Sequence, residues 1–292
     1  MLEENSLPKG IKSYVNVDRA YFDISSKAAK EDAILLIPGF VLMFVYVQVM
    51  LGKFTCVQGR SFLAFCGLSS IGLSLGFTYG FCSAFGFFYS PMANLVPFLA
   101  LGIGIDDMFV IMQCFDNLSH EERNWRDIPK TISLTMRRAG VAITVTSFTD
   151  FMVFAIGSTT VLPALRSFCV WCAVGILVDY IFQITFFTAA LALDCKRLVQ
   201  GRNGLCPCYK HRQFDVETII ETPDEESMSK KLFSKMADII LSLPGVIVVL
   251  AVAGAFFCIS TWQATLLRQE FQSIWFLPPS SYLRQWYTAN ER

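Results

Sequence analysis

Long apolar runs separated by polar connections dominate the chain, and this pattern predicts membrane-spanning helices. A helix of about 20 apolar residues crosses the roughly 30 Å of hydrocarbon in a bilayer. The runs of suitable length lie at residues 33–51, 62–89, 92–115, 139–157, 164–193 and 244–267. We therefore predict an all-α fold, a polytopic membrane helical bundle with six transmembrane helices.

Basic residues are concentrated in alternate connections between these runs. Two lie in residues 52–61, five in 116–138 and eight in 194–243, whereas residues 90–91 and 158–163 carry none. Connections rich in Lys and Arg stay on the cytoplasmic side of a membrane. We therefore predict that the three basic connections are cytoplasmic and that both termini lie outside the cytosol.

The cytoplasmic connections contain three segments with further patterns. Apolar residues recur among charges in 116–138 and predict an amphipathic helix at the membrane surface: Ile128, Ile132, Leu134 and Met136. Residues 194–212 have five basic residues against Asp194, a net charge of +4 that suits contact with anionic lipid, although ordinary stop-transfer charge explains it equally well. Residues 221–227 are polar and acidic and resemble a flexible linker. The sequon at Asn117 falls in a cytoplasmic connection and is expected to stay unmodified.

Composition agrees with a membrane protein and narrows the function. The chain is 54% hydrophobic and 16% charged, with a mean hydropathy of +0.49 and zero formal net charge. This excludes an ordinary soluble domain and gives no support for nucleic-acid binding. The first 32 residues lack the pattern of a signal peptide.

The ten cysteines do not predict a disulfide framework, because six of them lie inside apolar runs. Cys206 and Cys208, just beyond the fifth run, are either palmitoylation sites or plain cytosolic thiols. The sequence predicts no metal centre and no cofactor.

Two adjacent carboxylates, Asp106 and Asp107, lie in the third apolar run. Placing an ionised carboxylate at this depth costs ~2.5–3.5 kcal/mol on insertion scales, so such groups usually serve an ion or substrate path. Mutual repulsion should keep at least one of them protonated, which predicts a proton or cation exchanger. The alternative is a neutral, hydrogen-bonded pair that holds helices together. Gly102 and Gly104 would let a neighbouring helix approach closely.

The fourth run offers matching polarity at Asp150, with Thr146 and Ser147 one helical turn before it. These residues predict a polar seam between the third and fourth helices. Asp179, with Gln183 one turn later, is a further candidate that could instead line a vestibule. Gln48 and Gln113 are expected to make hydrogen bonds between helices.

Two other patterns have competing interpretations. Gly72, Gly76 and Gly80 recur every four residues in the second run and predict either a packing seam or a sterol-contacting face. Intramembrane aspartyl proteases combine Gly-x-Gly-Asp with Pro-Ala-Leu, and Pro163-Ala164-Leu165 is present. However, Ile105 follows Gly104 and displaces the carboxylate by one position, which disfavours a protease.

Several motifs together resemble a known family. The GIGIDD helix, the segment TSFTDFMVFAIGSTTVLPALRSFC and the ending LALDCKR closely resemble the sterol-sensing region of Patched and Patched-related proteins. Niemann-Pick type C cholesterol transporters and Dispatched are similar, and all resemble the resistance-nodulation-division superfamily. The resemblance implies part of a twelve-helix transporter that moves sterols or other lipids with a cation gradient, in which Asp106 and Asp107 occupy the cation-relay position.

The resemblance also implies a division of the chain. Residues 1–32 would end a first extracellular domain, 33–193 would form a sterol-sensing domain of five helices, 194–243 would be a cytoplasmic linker, 244–267 would be the sixth helix, and 268–292 would begin a second extracellular domain. The remaining helices of that family would be missing, as in a fragment or short isoform.

These patterns favour part of a cation-coupled sterol or lipid transporter, with a sterol-binding receptor or regulatory module as the alternative and no enzymatic activity. The expected partners are a membrane sterol or other lipid and a proton or sodium ion, while no extracellular protein ligand can be identified. The expected location is the plasma membrane rather than an endomembrane.

Overall fold

The computed structural model describes residues 34, 37–50, 59–119, 125, 127–202 and 228–267. Within these residues the regular structure is helical. The helices are α1 (Ile37–Met50), α2 (Ser61–Ala84), α3 (Val96–Asp116), α4 (Ile128–Gly157), α5 (Pro163–Phe182), α6 (Thr188–Val199), α7 (Met228–Leu241) and α8 (Leu243–Thr265). A 3₁₀ turn, Pro91–Leu95, leads into α3, and a π-helical segment, Gln183–Phe187, joins α5 to α6 without a break.

Five of the described helical stretches are long and apolar enough to cross a membrane. They are Ser61–Ala84, Pro91–Asp116, Ile128–Gly157, Pro163–Val199 and Leu243–Thr265. The described part of the first predicted span, Ile37–Met50, is shorter than a full crossing. The helical membrane bundle is thus confirmed, with five full-length spans among the described residues.

Local sequence signals explain where several helices begin. Pro129 and Pro244 stand in first turns, where the missing N–H has no helical partner to lose. The Asp127 side chain accepts a hydrogen bond from Lys130 N at 3.3 Å, which caps α4. Ser242 caps α8 in the same way through Gly245 N at 3.2 Å. Each cap satisfies a backbone donor that the helix itself leaves unpaired.

The core lies between α2, α3, α4 and the continuous α5–α6 helix. Leu63, Ile71, Met108, Ile143 and Phe187 are almost completely buried there. Glycine permits the closest approach: a Cβ added to Gly67 would collide with Met108 Sδ, so α3 packs directly on the α2 backbone. α1 joins this core through Val47 and an edge-to-face contact between Tyr46 and Phe109, whose ring centroids are 6.0 Å apart.

One end of the bundle, which we call the Arg60 end, gathers the predicted cytoplasmic connections. Arg60 forms a bidentate pair with Asp116, with N–O distances of 2.6 and 2.5 Å, and Arg197 Nη2 donates to Gly59 O at 3.0 Å. Burial by itself lowers the pKa of the Arg60 guanidinium, but the hydrogen bond and charge of Asp116 outweigh it, so the pKa is raised. Arg60 therefore remains charged and ties α2 to α3.

The opposite end is organised around Phe88. Its carbonyl oxygen accepts hydrogen bonds from Ser167 Oγ at 2.5 Å and Trp171 Nε1 at 3.1 Å, and Ser90 Oγ donates to Ala164 O at 3.1 Å. The basic connections thus meet at one end and the uncharged connections at the other, as their alternation predicts. Which end faces the cytosol stays a prediction.

The prediction of a separate amphipathic surface helix around Ile128–Met136 is wrong. Ile128–Gly157 is one continuous helix of 30 residues, so this stretch extends the fourth span instead of forming a separate surface helix. Thr131, Ile132 and Thr135 are buried, and Thr188 Oγ1 of α6 donates to Met136 Sδ at 3.4 Å. This side of the stretch therefore packs on protein.

Some predicted features lie outside the described residues. These are the two flanking segments at 1–32 and 268–292, the thiols Cys206 and Cys208, and the acidic linker at 221–227. α8 is described, and it buries none of its residues against the other described helices.

Candidate functional site

The two adjacent aspartates of α3 have different environments. Asp107 is buried, with 4% of its surface exposed, whereas Asp106 lies on an exposed face. Successive residues of an α-helix are rotated by about 100°, so one residue can point into the bundle while its neighbour points outward. Gly102, one turn before Asp106, also faces outward, and a Cβ there would have no atom within 4 Å. Only Asp107 therefore belongs to the interior of the described bundle.

The predicted seam between α3 and α4 is present in the structure. Ser147 Oγ donates to Asp107 Oδ2 at 3.2 Å, and Ser147 is buried. The Thr146 side chain also interacts with the Asp107 carboxyl, besides the hydrogen bonds from its hydroxyl to carbonyl oxygens of its own helix. Asp150, one turn later on α4, is half-buried.

Asp179 of α5 is a second carboxylate in the interior, 2% exposed. Its Oδ1 accepts a hydrogen bond from Ser74 Oγ of α2 at 3.0 Å. Its Oδ2 has no hydrogen-bond partner among the described residues. A Cβ added to Gly104 would lie 2.9 Å from this Oδ2, so the absence of a side chain at Gly104 makes room for the carboxylate against α3.

Gln183, one turn after Asp179, completes the contact between α5 and α3. It is fully buried, and its Nε2 donates to the Gly104 carbonyl oxygen at 3.0 Å, while its Oε1 has no hydrogen-bond partner among the described residues. Gln183 also begins the π-helical segment, a local widening that often occurs at functional sites. Thr188 Oγ1 lies 3.2 Å from the Gln183 carbonyl oxygen and within donating distance of it.

Together these contacts define an interior polar cluster at mid-helix, formed by α2, α3, α4 and α5. Its two carboxylates, Asp107 and Asp179, are both buried and would repel each other if both were ionised. The surrounding oxygens come from hydroxyl, amide and carbonyl groups, which are hard ligands suited to protons and small hard cations. No group of three or more Cys, His, Asp or Glu in metal-binding geometry occurs in the described part of the chain. The members of the interior polar cluster are Ser74, Gly104, Asp107, Ser147, Asp179 and Gln183.

Sequence reasoning did not identify Ser74 as part of this cluster. Ser70 and Ser74 are spaced four residues apart in the apolar α2, and both are buried, with Ser70 Oγ lacking a hydrogen-bond partner among the described residues. Small polar residues at helical spacing inside an apolar run were the available signal.

The two glutamines that were expected to make hydrogen bonds between helices differ. Gln48 Oε1 accepts a hydrogen bond from Ser61 Oγ at 2.9 Å, whereas Gln113 donates to Asn117 just beyond its own helix.

The glycines of α2 at positions 72, 76 and 80 face away from the interior. All three are exposed, and a Cβ added to any of them would meet no atom within 4 Å. Leu73, Phe77 and Phe81 are exposed along the same helix. The packing seam therefore does not form between described helices, and no described residue covers the three glycines.

The geometry does not favour a protease. Pro163 begins α5 and the Ala164 carbonyl is bonded to Ser90 at the Phe88 end. Asp179 lies on the same helix 15 residues farther on (179 − 164), about 22 Å at the rise of an α-helix. The Pro-Ala-Leu segment is thus remote from both interior carboxylates.

Comparison with known proteins gives consistent matches over most of the chain. Residues 56–211 match the family model described as the sterol-sensing domain of SREBP cleavage-activation. The chain is 25% identical to NPC intracellular cholesterol transporter 1 homolog 1b of Drosophila melanogaster over 92% of its own length and 22% of that protein. It is 26% identical to Patched-related protein 9 of Caenorhabditis elegans over 97% of its length and 34% of that protein.

A third relative, Protein patched homolog 3 of Caenorhabditis elegans, is 29% identical over 64% of the chain and 14% of that protein. The chain thus spans between 14% and 34% of the lengths of these three relatives. The resemblance inferred from the motifs is confirmed.

Proposed function

Because the chain belongs to the sterol-sensing-domain family, we propose that it forms part of a membrane protein that moves a sterol or similar lipid, coupled to a proton or sodium gradient. The observation that carries the coupling is the presence of two buried carboxylates, Asp107 and Asp179, on helices that meet at Gly104.

The energetics of these carboxylates support cation exchange. Two ionised carboxylates inside an apolar bundle would be strongly unfavourable, and a bound proton or cation removes part of that cost. Asp179 Oδ2 and Gln183 Oε1 are oxygens without hydrogen-bond partners among the described residues, so both are available to such an ion. Occupancy of the cluster should therefore alter how closely α3 and α5 pack.

The lipid part of the proposal rests on other observations. One relative is named as a cholesterol transporter. The exposed face of α2 with Gly72, Gly76 and Gly80 offers a smooth surface flanked by Phe77 and Phe81, against which a flat apolar ring system could lie. Asp106 and Thr146 are exposed and Asp150 is half-buried, so these three residues would form the outer part of the relay.

The decisive test uses the complete protein in proteoliposomes with a fluorescent sterol and an imposed proton or sodium gradient. Replacing Asp106→Asn together with Asp107→Asn should leave insertion and folding largely intact, because amides occupy the same space and desolvate more easily. The ratio of sterol transfer with and without the gradient should fall to about 1. Asp179→Asn should reduce this ratio too, since Asp179 belongs to the same cluster.

Asp127→Asn is the matched control, because it makes the same chemical change outside the membrane and asparagine also caps helices. It should keep the gradient dependence. If the double variant unfolds while sterol transfer per folded molecule stays normal, the aspartates are structural hydrogen-bonding groups and the transport role is wrong.

A sterol-binding receptor or regulatory module is the second candidate, favoured by the open glycine face of α2. Such a module needs sterol contact but no ionisable group. Sterol binding that persists in the Asp106→Asn, Asp107→Asn variant, with no gradient-dependent transfer in the unaltered protein, would identify it. We also propose residence in the plasma membrane, which surface biotinylation of intact cells would detect.

A further inference from the structure

A cavity of about 310 Å³ lies at the Arg60 end, between the start of α2 and the end of α6. Its walls combine apolar side chains with cationic and amide groups, as a site for the polar end of an amphiphile requires. The lining residues are Phe62, Leu193, Lys196, Arg197, Gln200 and Arg202.

The end of α6 builds the cationic side of this cavity. Gly201 has φ +62°, a left-handed conformation that ends the helix. Gly201 N donates to Leu198 O at 3.0 Å and Arg202 N donates to Arg197 O at 3.2 Å, the two bonds of a Schellman motif. The chain therefore turns back at Gly201, which brings Arg202 beside Lys196 on the last turn.

Arg197 stabilises the wall of the cavity and does not supply the positive charge that would attract a ligand. It is 5% exposed, and its guanidinium donates to Asp194 Oδ1 at 2.7 Å, Arg202 O at 3.0 Å and Gly59 O at 3.0 Å. These bonds join α6 to the segment before α2. Asp194 offsets the charge of Arg197, so the positive potential of the cavity comes from the other two cations.

Lys196 and Arg202 are exposed, and neither forms an ion pair with any described residue. Carbonyl groups at the C-terminal end of a helix normally disfavour an anion. Here the carbonyls of Lys196, Arg197 and Leu198 all accept backbone hydrogen bonds, which reduces that effect. The last turn of α6 can thus present two cations and the Gln200 amide to an anionic group.

The apolar wall of the cavity favours a lipid over a free anion as the ligand. Phe62 lies in the first turn of α2, and Leu193 lies one turn before the charged end of α6. Both helices belong to membrane-spanning stretches, so this wall faces the boundary between hydrocarbon and headgroups. The volume is at the lower end of the roughly 300–1,000 Å³ of small-molecule sites, which suits a phosphate with its glycerol better than a whole sterol.

We propose that this cavity binds the phosphate headgroup of an anionic phospholipid in the adjoining leaflet. Lys196, Arg202 and Gln200 contact the phosphate, and Phe62 with Leu193 contacts the start of the acyl chains. The site is distinct from the interior polar cluster and does not depend on transport.

The test measures lipid binding to the complete protein in detergent by native mass spectrometry, using phosphatidylinositol phosphate, phosphatidylserine and phosphatidylcholine. The unaltered protein should retain the anionic lipids in preference to phosphatidylcholine. Lys196→Gln with Arg202→Gln should weaken anionic-lipid binding by about fivefold for each lost charge near the surface. Thermal unfolding should change little, because both side chains are exposed.

Lys130→Gln with Arg137→Gln is the matched control. It removes the same charge from exposed positions on α4, near the Arg60 end but outside the cavity. The control should retain anionic lipid. An equal loss in both double variants would mean diffuse surface attraction and would overturn the site.

Two further measurements separate the remaining outcomes. A phospholipid carrying a photoreactive group near its phosphate should label residues around Phe62 and Leu193, and labelling elsewhere only would contradict the proposal. Inorganic phosphate or a soluble inositol phosphate that competes as strongly as the lipid would identify a free-phosphate site instead. Lys196→Gln alone, at an exposed position, provides the same comparison if the double variant fails to insert.

Discussion

Side chains next to each other in α3 have opposite roles because the helix turns between them. Asp107 enters the interior polar cluster and Asp106 does not, although the two are chemically identical. The same distinction applies to the glycines: Gly104 faces Ile71 and Asp179, whereas Gly102 faces open space. Gly104 therefore serves helix packing whereas Gly102 lies at the surface, although the two glycines are only two positions apart.

Gly104→Ala should destabilise the protein and Gly102→Ala should not. The new Cβ at position 104 would lie 2.7 Å from Ile71 Cγ1 and 2.9 Å from Asp179 Oδ2. Overpacking of this kind costs about 1–3 kcal/mol. At position 102 the added methyl meets nothing, and the better helix propensity of alanine gives a change between zero and about 1 kcal/mol of stabilisation. Thermal unfolding in detergent measures both, and equal effects would contradict the close α3–α5 packing.

The π-helical segment Gln183–Phe187 positions Gln183 in the interior polar cluster while α5 and α6 remain one continuous helix. A π turn is a local insertion of one residue into an α-helix. It lets α5 and α6 remain one continuous stretch while Gln183 points to the Gly104 carbonyl. Nothing in the pattern of apolar residues distinguishes this turn from its α-helical neighbours.

Deleting Thr185 tests this interpretation. Thr185 is exposed within the π segment, so its loss should convert the segment to α-helix and keep the flanking faces in register. The protein should still insert and fold, with gradient-dependent transfer reduced because Gln183 moves. Ile181 is an exposed residue before the segment. Its deletion should rotate Gln183 and the helix after it by about 100° relative to Asp179. Size-exclusion profiles should then show poorer folding for the Ile181 deletion, and the reverse order would refute an insertion-like π turn.

The bundle as a whole is tied differently at its two ends. The Arg60–Asp116 ion pair joins two helices at the Arg60 end, whereas hydroxyl and indole donors converge on the Phe88 carbonyl at the other end. Side chains at the Arg60 end are partly exposed, with 11% for Arg60 and 41% for Asp116. Removing one partner of such a pair should cost more than at a fully exposed pair and less than at a fully buried one.

Breaking this pair should lower the stability of the entire bundle modestly. Arg60→Gln leaves Asp116 without its bidentate partner and should cost about 1–2 kcal/mol, between the ranges for exposed and buried pairs. Asp116→Asn should cost a similar amount, and the double variant should cost less than the sum of the two. A double-mutant cycle from thermal unfolding measures this coupling, and strictly additive losses would mean that the pair contributes nothing.

Orientation in the membrane is a further property of the whole molecule. With the Arg60 end in the cytosol, Asn117→Cys should react with an impermeant maleimide only after the membrane is opened, and Thr159→Cys should react in intact cells. Both positions are exposed and lie at opposite ends of the bundle. The reverse labelling, or glycan on Asn117, would show that the predicted orientation is wrong.

Much of this protein follows from its sequence because hydropathy and charge act locally along the chain. The apolar runs predicted the membrane helices, and the alternating basic connections predicted which helix ends lie together at one end of the bundle. GIGIDD with its neighbouring motifs indicated the family. The aspartates at positions 106, 107, 150 and 179 could be found in the same way, since a carboxylate inside an apolar run stands out wherever the helix points.

The tertiary structure decided which of these groups meet. Asp107 accepts a hydrogen bond from Ser147 of α4, and Asp179 accepts one from Ser74, which lies 105 positions earlier in the chain. These choices depend on how each helix is rotated about its axis, which is set by packing between residues far apart in sequence, such as Gly67 against Met108. The π turn at Gln183–Phe187 and the continuation of α4 through Ile128 depend on the same packing, so no local pattern could determine them.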